Sequence, residues 1–341
     1  MKSVVRLAVI GVGMISSFHM NAIDAIEGVE LAGVYDAPSM DRAREIAKSR
    51  GVTAYATLDA LWQDKQVDGV CICTPSGTHG SLALEAIRNG KHVLIEKPMA
   101  LTPEECEAIR VEAARGNLQV GVVSQLRFSP GIQLVRQAVQ DGKLGKILYT
   151  ELNMKYYRNA DYYSGSTWRG TKTMDGGGAL MNQGIHGVDL LQYIAGMPQA
   201  VFAQSRTLLH KVEVEDTLNA ILLYENGALG NIVATTSVYP GFSRKLTICG
   251  ENGTVGLEED TICCWEMKDG SKAPDFEATT VRGSSDPNNI SCEGHIRQID
   301  NFAQAIRGAE TLLVDAEEGC KPLRMIWSVY RSAEENTLIQ L

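Results

Sequence analysis

Positive charge is in short supply: 32 Lys and Arg face 41 Asp and Glu, a net charge of −9 over 341 residues. There is no basic run, so the chain offers no surface for the phosphates of a nucleic acid. It also lacks an unbroken apolar run of roughly eighteen residues, the length that spans a bilayer. The nearest imitation of a leader, Lys2 and Arg6 ahead of Leu7-Ala8-Val9-Ile10, is interrupted by Gly11 and Gly13, and no small-residue cleavage site follows it. The expectation is a soluble, cytoplasmic protein with neither a nucleic-acid nor a membrane partner.

Eight cysteines stand at 71, 73, 106, 249, 263, 264, 292 and 320, with no CxxC pair and no histidine at zinc-ligand spacing. That pattern implies a reducing compartment and no metal. Internal repeats and low-complexity tracts are absent too. A hydrophobic content of 44% and a charged content of 21% are globular values. The length suits two domains of roughly 100–200 residues each.

From residue 4 to about 125, short β-branched runs alternate with helical periodicity: strand Val4–Ile10, helix Ser16–Ala25, strand Val29–Tyr35, helix Met40–Arg50, and so on to a strand at Gln119–Ser124. Six strands with crossover helices predict a parallel sheet in a domain over 1–125. Beyond it, long alternating strands near Ile147–Tyr156, Ala200–Thr207, Thr217–Tyr224, Ala228–Ser237 and Arg244–Cys249 predict a large, mainly antiparallel sheet with one open face. This α+β domain is assigned 126–341, for substrate binding and oligomerisation. Residues 267 to 290 read as an irregular excursion, and helices near Gly294–Arg307 and Glu317–Glu335 close the chain.

Chemistry enters at Gly11-Val12-Gly13-Met14-Ile15-Ser16, between the first strand and the first helix. Gly11 permits the turn, Gly13 lets backbone approach a pyrophosphate, and the amides around Met14 and Ile15 open the helix toward it. Asp36 ends the second strand, where a carboxylate accepts ribose hydroxyls and repels a 2′-phosphate. NAD is therefore favoured over NADP, although Arg42 could reverse the preference. Ligands of such sheets lie beyond the carboxyl ends of the strands, which selects Thr74, Pro75 and His79 after one strand and Glu96-Lys97-Pro98 after the next. A lysine before proline is held extended, and Lys97 is the cation that would polarise a reacting oxygen.

The remaining signal is Asp175-Gly176-Gly177-Gly178 followed by Met181-Asn182-Gln183-Gly184-Ile185-His186. A helix through this segment puts Asn182, His186, Asp189 and Tyr193 on one polar stripe. His186 titrates near neutrality and suits removal of a hydroxyl proton, with Asp189 to orient its ring. The competing reading is an amphipathic helix whose polar stripe faces water.

These motifs, in this order and over essentially the full length, resemble the Gfo/Idh/MocA family of sugar and inositol oxidoreductases. The resemblance implies a Rossmann domain plus a substrate domain, a tightly held nicotinamide cofactor, and homodimers or homotetramers joined through the large sheet. It makes Lys97 and His186 the catalytic pair and puts Asn182 where inositol dehydrogenases generally have aspartate. Within the family, Gln125-Leu126-Arg127-Phe128, Tyr162-Tyr163, Trp168-Arg169-Gly170-Thr171 and Gly178–Gln183 resemble bacterial nucleotide-sugar 3-dehydrogenases that oxidise UDP-N-acetylglucosaminuronic acid. Gln125, Trp168 and Arg169 then join the cofactor-binding candidates. The substrate-binding candidates are Lys97, Arg127, Tyr156, Arg158, Tyr163, Asn182, Gln183 and His186, where aromatics stack on sugar or base and guanidinium groups take carboxylate or phosphate. The implied activity is hydride transfer at a secondary hydroxyl, C3 first, of a sugar, nucleotide-sugar or polyol. The alternatives are a redox-assisted glycosidase, an inositol or free-sugar dehydrogenase, and a non-catalytic NAD-binding sensor.

Overall fold

The computed structural model describes residues 4–276 and 292–341. The chain divides into two compact units, Met1–Gln125 with Cys292–Cys320, and Leu126–Ser291 with Lys321–Leu341. A single division after residue 125 would give everything beyond it to one domain, and the structure differs: the segment Cys292–Cys320 returns to the first unit. The cause is apolar. The helix Glu293–Ile306 places Ile299, Phe302 and Ala303 in one buried cluster with Val5, Leu7, Val9, Met20 and Ile23, and full burial of one phenylalanine contributes about 1.5–3 kcal/mol. The Val122 amide then donates to the Val314 carbonyl, which ties the next stretch to the sheet.

The first unit is built on six parallel strands, β1 (Val5–Ile10), β2 (Val29–Tyr35), β3 (Thr53–Ala54), β4 (Gly69–Ile72), β5 (His92–Ile95) and β6 (Val120–Val122), in the order β3-β2-β1-β4-β5-β6. Helices cover both faces, which explains why β4 is buried at every position and reads as a continuous apolar run. The order reverses between β1 and β4. That switch point is where an open parallel sheet leaves a crevice at its carboxyl edge.

Among the described residues the second unit carries eight strands: β7 (Ile147–Lys155), β8 (Ala200–Arg206), β9 (Thr217–Leu223), β10 (Leu229–Thr235), β11 (Lys245–Gly250), β12 (Gly253–Glu258), β13 (Thr261–Met267) and β14 (Ile339–Gln340), ordered β13-β12-β11-β7-β10-β9-β8-β14. Only the β7/β10 pair is parallel. Leu152, Met154, Leu218, Ala220, Leu222, Ile232, Ala234, Leu246 and Ile248 face the helices and are buried, while Tyr149, Ile221 and Leu229 on the other face are exposed. Strands β12 and β13 were not expected, and the irregular excursion assigned to 267–290 begins only after β13. Lys268–Phe276 has no regular structure, and 277–290 lies outside the described residues. Among the described residues no helix is long and apolar enough to cross a membrane.

Candidate active site

In the first unit the glycine turn is built for close backbone approach. Gly11 has φ +93°, and a Cβ there would sit 2.7 Å from the Cys73 carbonyl oxygen, so no other residue fits. Gly13 is different: it is exposed, and a Cβ there would meet nothing within 4 Å. Open space lies in front of it, and beside it the helix Ser16–Ala25 starts without a side-chain cap. Ser16 stands where the fingerprint usually has Gly or Ala. It fits because its hydroxyl turns back to the Gly13 carbonyl at 2.6 Å. Asp36 is fixed at the end of β2 by the amides of Val12 and Ser39, at 2.8 and 3.0 Å. Room for a pyrophosphate, oriented helix amides and a strand-end carboxylate together fit a dinucleotide.

The strand-end loops after β4 and β5 are joined by His79. Its Nδ1 meets the Pro98 carbonyl oxygen at 2.7 Å and its Nε2 that of Thr74 at 2.8 Å. Burial lowers its pKa against these two bonds, which raise it. Buried against these two carbonyl oxygens, His79 ties the Thr74-Pro75 segment to the Lys97-Pro98 segment. Glu96 behaves similarly: it is buried, its Oε1 meets His19 Nε2 at 2.8 Å, and its Oε2 accepts the Lys97 amide at 3.1 Å. Lys97 itself is half-buried. Gln125 is buried at the end of this unit, its Oε1 without a hydrogen-bond partner.

Beside Glu96 lies a cluster that sequence reasoning missed. His19, Glu96 and His295 are all buried, with one potential ligand atom from each within 4.8 Å of the others. Burial raises the Glu96 pKa, but the hydrogen bond and charge of His19, with His295 and Lys97, outweigh it and bring it to about 2. Burial also opposes charge on His19, yet Cys73, Cys71 and Glu96 hold its pKa well above 6.5. His295 is pushed down to about 4 by burial and then by the charge on His19. The cluster is thus an ion pair with a neutral imidazole against it, and it supports the strand end that carries Lys97. Position gave the one available signal: His19 falls on the buried side of the fingerprint helix.

In the second unit the glycine run owes its small size to packing. A Cβ at Gly178 would collide with the Glu215 backbone and one at Gly177 with the Tyr330 hydroxyl. The Glu215 carboxylate accepts the amides of Gly178 and Leu180 at 2.8 and 2.9 Å, and the Tyr330 hydroxyl at 2.9 Å. Its burial, partly offset by these bonds, raises its pKa. This anchors a π-helical turn, Ala179–Gln183, which closes with the Gly184 amide on the Ala179 carbonyl at 2.8 Å. An α-helix, Ile185–Ala195, follows. Asn182 thus lies in the π-turn and His186 in the first turn of the following α-helix, so the two are not joined by one continuous α-helical run. Gly187 lets the helix approach β7, since a Cβ would lie 2.5 Å from Met154 Sδ. His186 and Asn182 are both half-buried, and Asn182 Nδ2 donates to Asp175 Oδ1 at 2.7 Å.

Three expectations fail here. Asp189 does not orient His186: its oxygens take Arg127 Nε and Nη2 at 2.9 and 2.6 Å. Arg127, at 0% exposure, is consequently part of the interior and not a substrate ligand. Tyr156 is also interior, its hydroxyl pushed up to about 12 by burial and its ring beneath Arg158 at 5.9 Å. The other candidates do gather. The guanidinium groups of Arg158 and Arg169 lie 5.4 and 4.5 Å from the Tyr162 ring centre, and Trp168 is 5.5 Å from Arg169. Tyr163 packs edge-on against Tyr162 at 5.1 Å, and Gln183 Nε2 donates to the Tyr162 hydroxyl at 3.0 Å.

A dinucleotide fold with a strand-end lysine in one unit, and an Asn/His pair beside cationic and aromatic side chains in the other, define a nicotinamide-dependent oxidoreductase. Residues 5–124 match the oxidoreductase family model for an NAD-binding Rossmann fold, and residues 132–256 match the GFO/IDH/MocA C-terminal domain. The chain belongs to the Gfo/Idh/MocA oxidoreductase family, and its first unit contains that family's NAD-binding domain. It is similar to the WlbA dehydrogenase of Bordetella pertussis, solved with NADH and UDP-GlcNAcA, at 31% identity over 99% of both chains and a TM-score of 0.87. It is also similar to the NADP(+) scyllo-inositol 2-dehydrogenase IolW of Bacillus subtilis, at 25% identity over 99% of this chain and 96% of that relative. A third relative, the D-glucoside 3-dehydrogenase of Escherichia coli, is 25% identical over 99% of this chain and 98% of its own. The protein is an enzyme of the class that oxidises sugars and polyols.

Proposed function

We propose that the enzyme transfers a hydride between a secondary hydroxyl carbon, C3 of a nucleotide-linked sugar acid, and NAD. Bound NAD supplies the hydride acceptor, held by the Gly11–Ile15 turn, Asp36 and the Thr74-Pro75 edge. Lys97 hydrogen-bonds the reacting oxygen and stabilises the negative charge that develops on it. His186 takes the hydroxyl proton. Asn182 orients the sugar without competing as a base, because an amide oxygen does not take up the proton.

The observation that carries the choice of substrate is the pair of guanidinium groups, Arg158 and Arg169, around Tyr162, which is itself bonded to Gln183 next to Asn182. Two cations against one aromatic ring suit a carboxylate or diphosphate attached to a flat base or sugar better than they suit a neutral inositol. The WlbA relative, with its UDP-GlcNAcA, supports the same reading. We further infer a homodimer or homotetramer joined through the open sheet face, where Tyr149, Ile221 and Leu229 are 40%, 51% and 51% exposed. The eight free thiols suit the cytoplasm.

A panel of UDP-sugars, free sugars, inositols and glycosides, followed by nicotinamide absorbance and product mass, tests the assignment. Reduction of NAD with UDP-N-acetylglucosaminuronate, and a 3-keto product two hydrogens lighter, is the expected result. Sugar release without net NADH would instead identify a redox-assisted glycosidase. Tight NAD binding with no turnover across the panel would identify a sensor.

A further inference from the structure

We infer that Asp175 is a positioning residue: it sets which way the Asn182 amide faces, so that Asn182 offers the sugar an oxygen acceptor. The inference rests on the hydride-transfer reading above and names a further residue for it.

Asp175 is 2% exposed, and both of its oxygens have defined partners. Oδ1 accepts Asn182 Nδ2 at 2.7 Å and Oδ2 accepts the Gly170 amide at 2.9 Å. A carboxylate can only accept, so only the NH2 end of the amide fits against it. The opposite orientation would set two acceptors in contact where water does not compete. The Asn182 carbonyl end is therefore turned away from Asp175, and what it presents to a ligand is an acceptor.

Both partners are held in place. The Asp175 amide donates to the Thr171 carbonyl at 3.1 Å, and Gly170, at φ +75°, makes the turn that brings its own amide to the carboxylate. The Asn182 amide nitrogen donates to the Gly178 carbonyl at 2.9 Å within the π-turn, whose start is tied to Glu215. A site group that is locked at both ends needs no reordering when the ligand arrives.

The pairing also bears on the departure at position 182, where the family resemblance leads one to expect aspartate. A carboxylate bonded to the amide NH2 polarises it and enriches the oxygen, so hydrogen-bond strength passes along the chain. The negative charge is present, but it is moved one hydrogen bond back from the ligand. Asn182 thereby accepts strongly from a sugar hydroxyl while His186 stays the sole base of the pair.

Four variants test this: Asp175→Asn, Asn182→Ala, Asn182→Asp and the swap Asp175→Asn/Asn182→Asp. The readouts are kcat and the sugar KM across pH, the NAD dissociation constant and the melting temperature. Asp175→Asn frees the amide to face either way and is expected to lower kcat/KM for the sugar about tenfold or more with NAD affinity unchanged. Asn182→Asp sets two carboxylates at hydrogen-bond distance, which keep their contact only by sharing a proton, so turnover should fall as pH rises. The swap restores one carboxylate and one amide and should recover most of the activity and flatten that pH dependence. Should Asp175→Asn fail to fold, the comparison of Asn182→Asp with the swap still decides. Single variants with wild-type kinetics, or a swap no better than Asn182→Asp, would overturn the inference. If Lys97→Ala and His186→Ala abolish turnover while Asp175→Asn keeps the wild-type kcat/KM, only the role of Asp175 falls. If those two variants keep turnover, the hydride-transfer reading falls with it.

Discussion

Asp189 grips Arg127 through both carboxylate oxygens, at 2.9 Å to Nε and 2.6 Å to Nη2, and the guanidinium lies 4.3 Å from the centre of the Tyr193 ring. Loss of one member of a buried pair leaves the other's charge uncompensated, at a cost of about 3–5 kcal/mol. Arg127→Met is expected to reduce the unfolding free energy by about that amount in urea titrations followed by circular dichroism. The sugar KM of the enzyme that still folds should stay unchanged. A raised KM with unaltered stability would return Arg127 to the substrate.

Asp36→Ala removes the carboxylate that sits between the Val12 and Ser39 amides at the end of β2. With it goes a ribose acceptor and a charge that repels a 2′-phosphate. The ratio of kcat/KM with NAD to kcat/KM with NADP is expected to fall by about tenfold or more, equivalent to about 1.4 kcal/mol. An unchanged ratio would mean that discrimination resides elsewhere, Arg42 being the next residue to alter.

His295 makes stability depend on pH in a direction that can be worked out. Its pKa is about 4 in the folded protein, because burial and then the charge on His19 disfavour its protonation, against a smaller opposing effect of Glu96. The unfolded chain takes up this proton below its ordinary value of about 6.5. Between those two values the unfolded state binds more protons, so stability falls as pH falls, by about 3 kcal/mol once the folded value is passed. His295→Leu is expected to flatten this part of the profile in denaturant titrations. His19 has the opposite sign: its raised pKa stabilises fully below about 6.5, and that stabilisation is lost as pH rises through the folded value. Parallel profiles for wild type and His295→Leu would contradict the assignment.

Much of the first unit was legible because parallel strands buried on both faces appear as apolar runs and their crossover helices keep a clean period, as at Gly69–Ile72 and Met40–Arg50. Strands β12 and β13 were harder to see. Gly253 and Gly256 imitate turn residues, yet Gly256 is small because a Cβ there would come 3.0 Å from Cys264 Cβ. The chemistry-bearing residues were visible by type and order, whereas their partners were not. No local pattern announces that Asp189 reaches back to Arg127, that His19 and His295 meet beside Glu96, or that Asn182 falls in a π-turn ahead of the helix that carries His186.

The most direct test of the central claim pairs calorimetric NAD binding with single-turnover NADH formation in Lys97→Ala and His186→Ala. If the ammonium and the imidazole act on one sugar hydroxyl, each variant should bind NAD with an affinity close to that of wild type. Each should also form NADH from UDP-N-acetylglucosaminuronate roughly a hundredfold or more slowly, the scale of a lost acid–base or electrostatic group. NADH formation at the wild-type rate in either variant would contradict the role assigned to that residue.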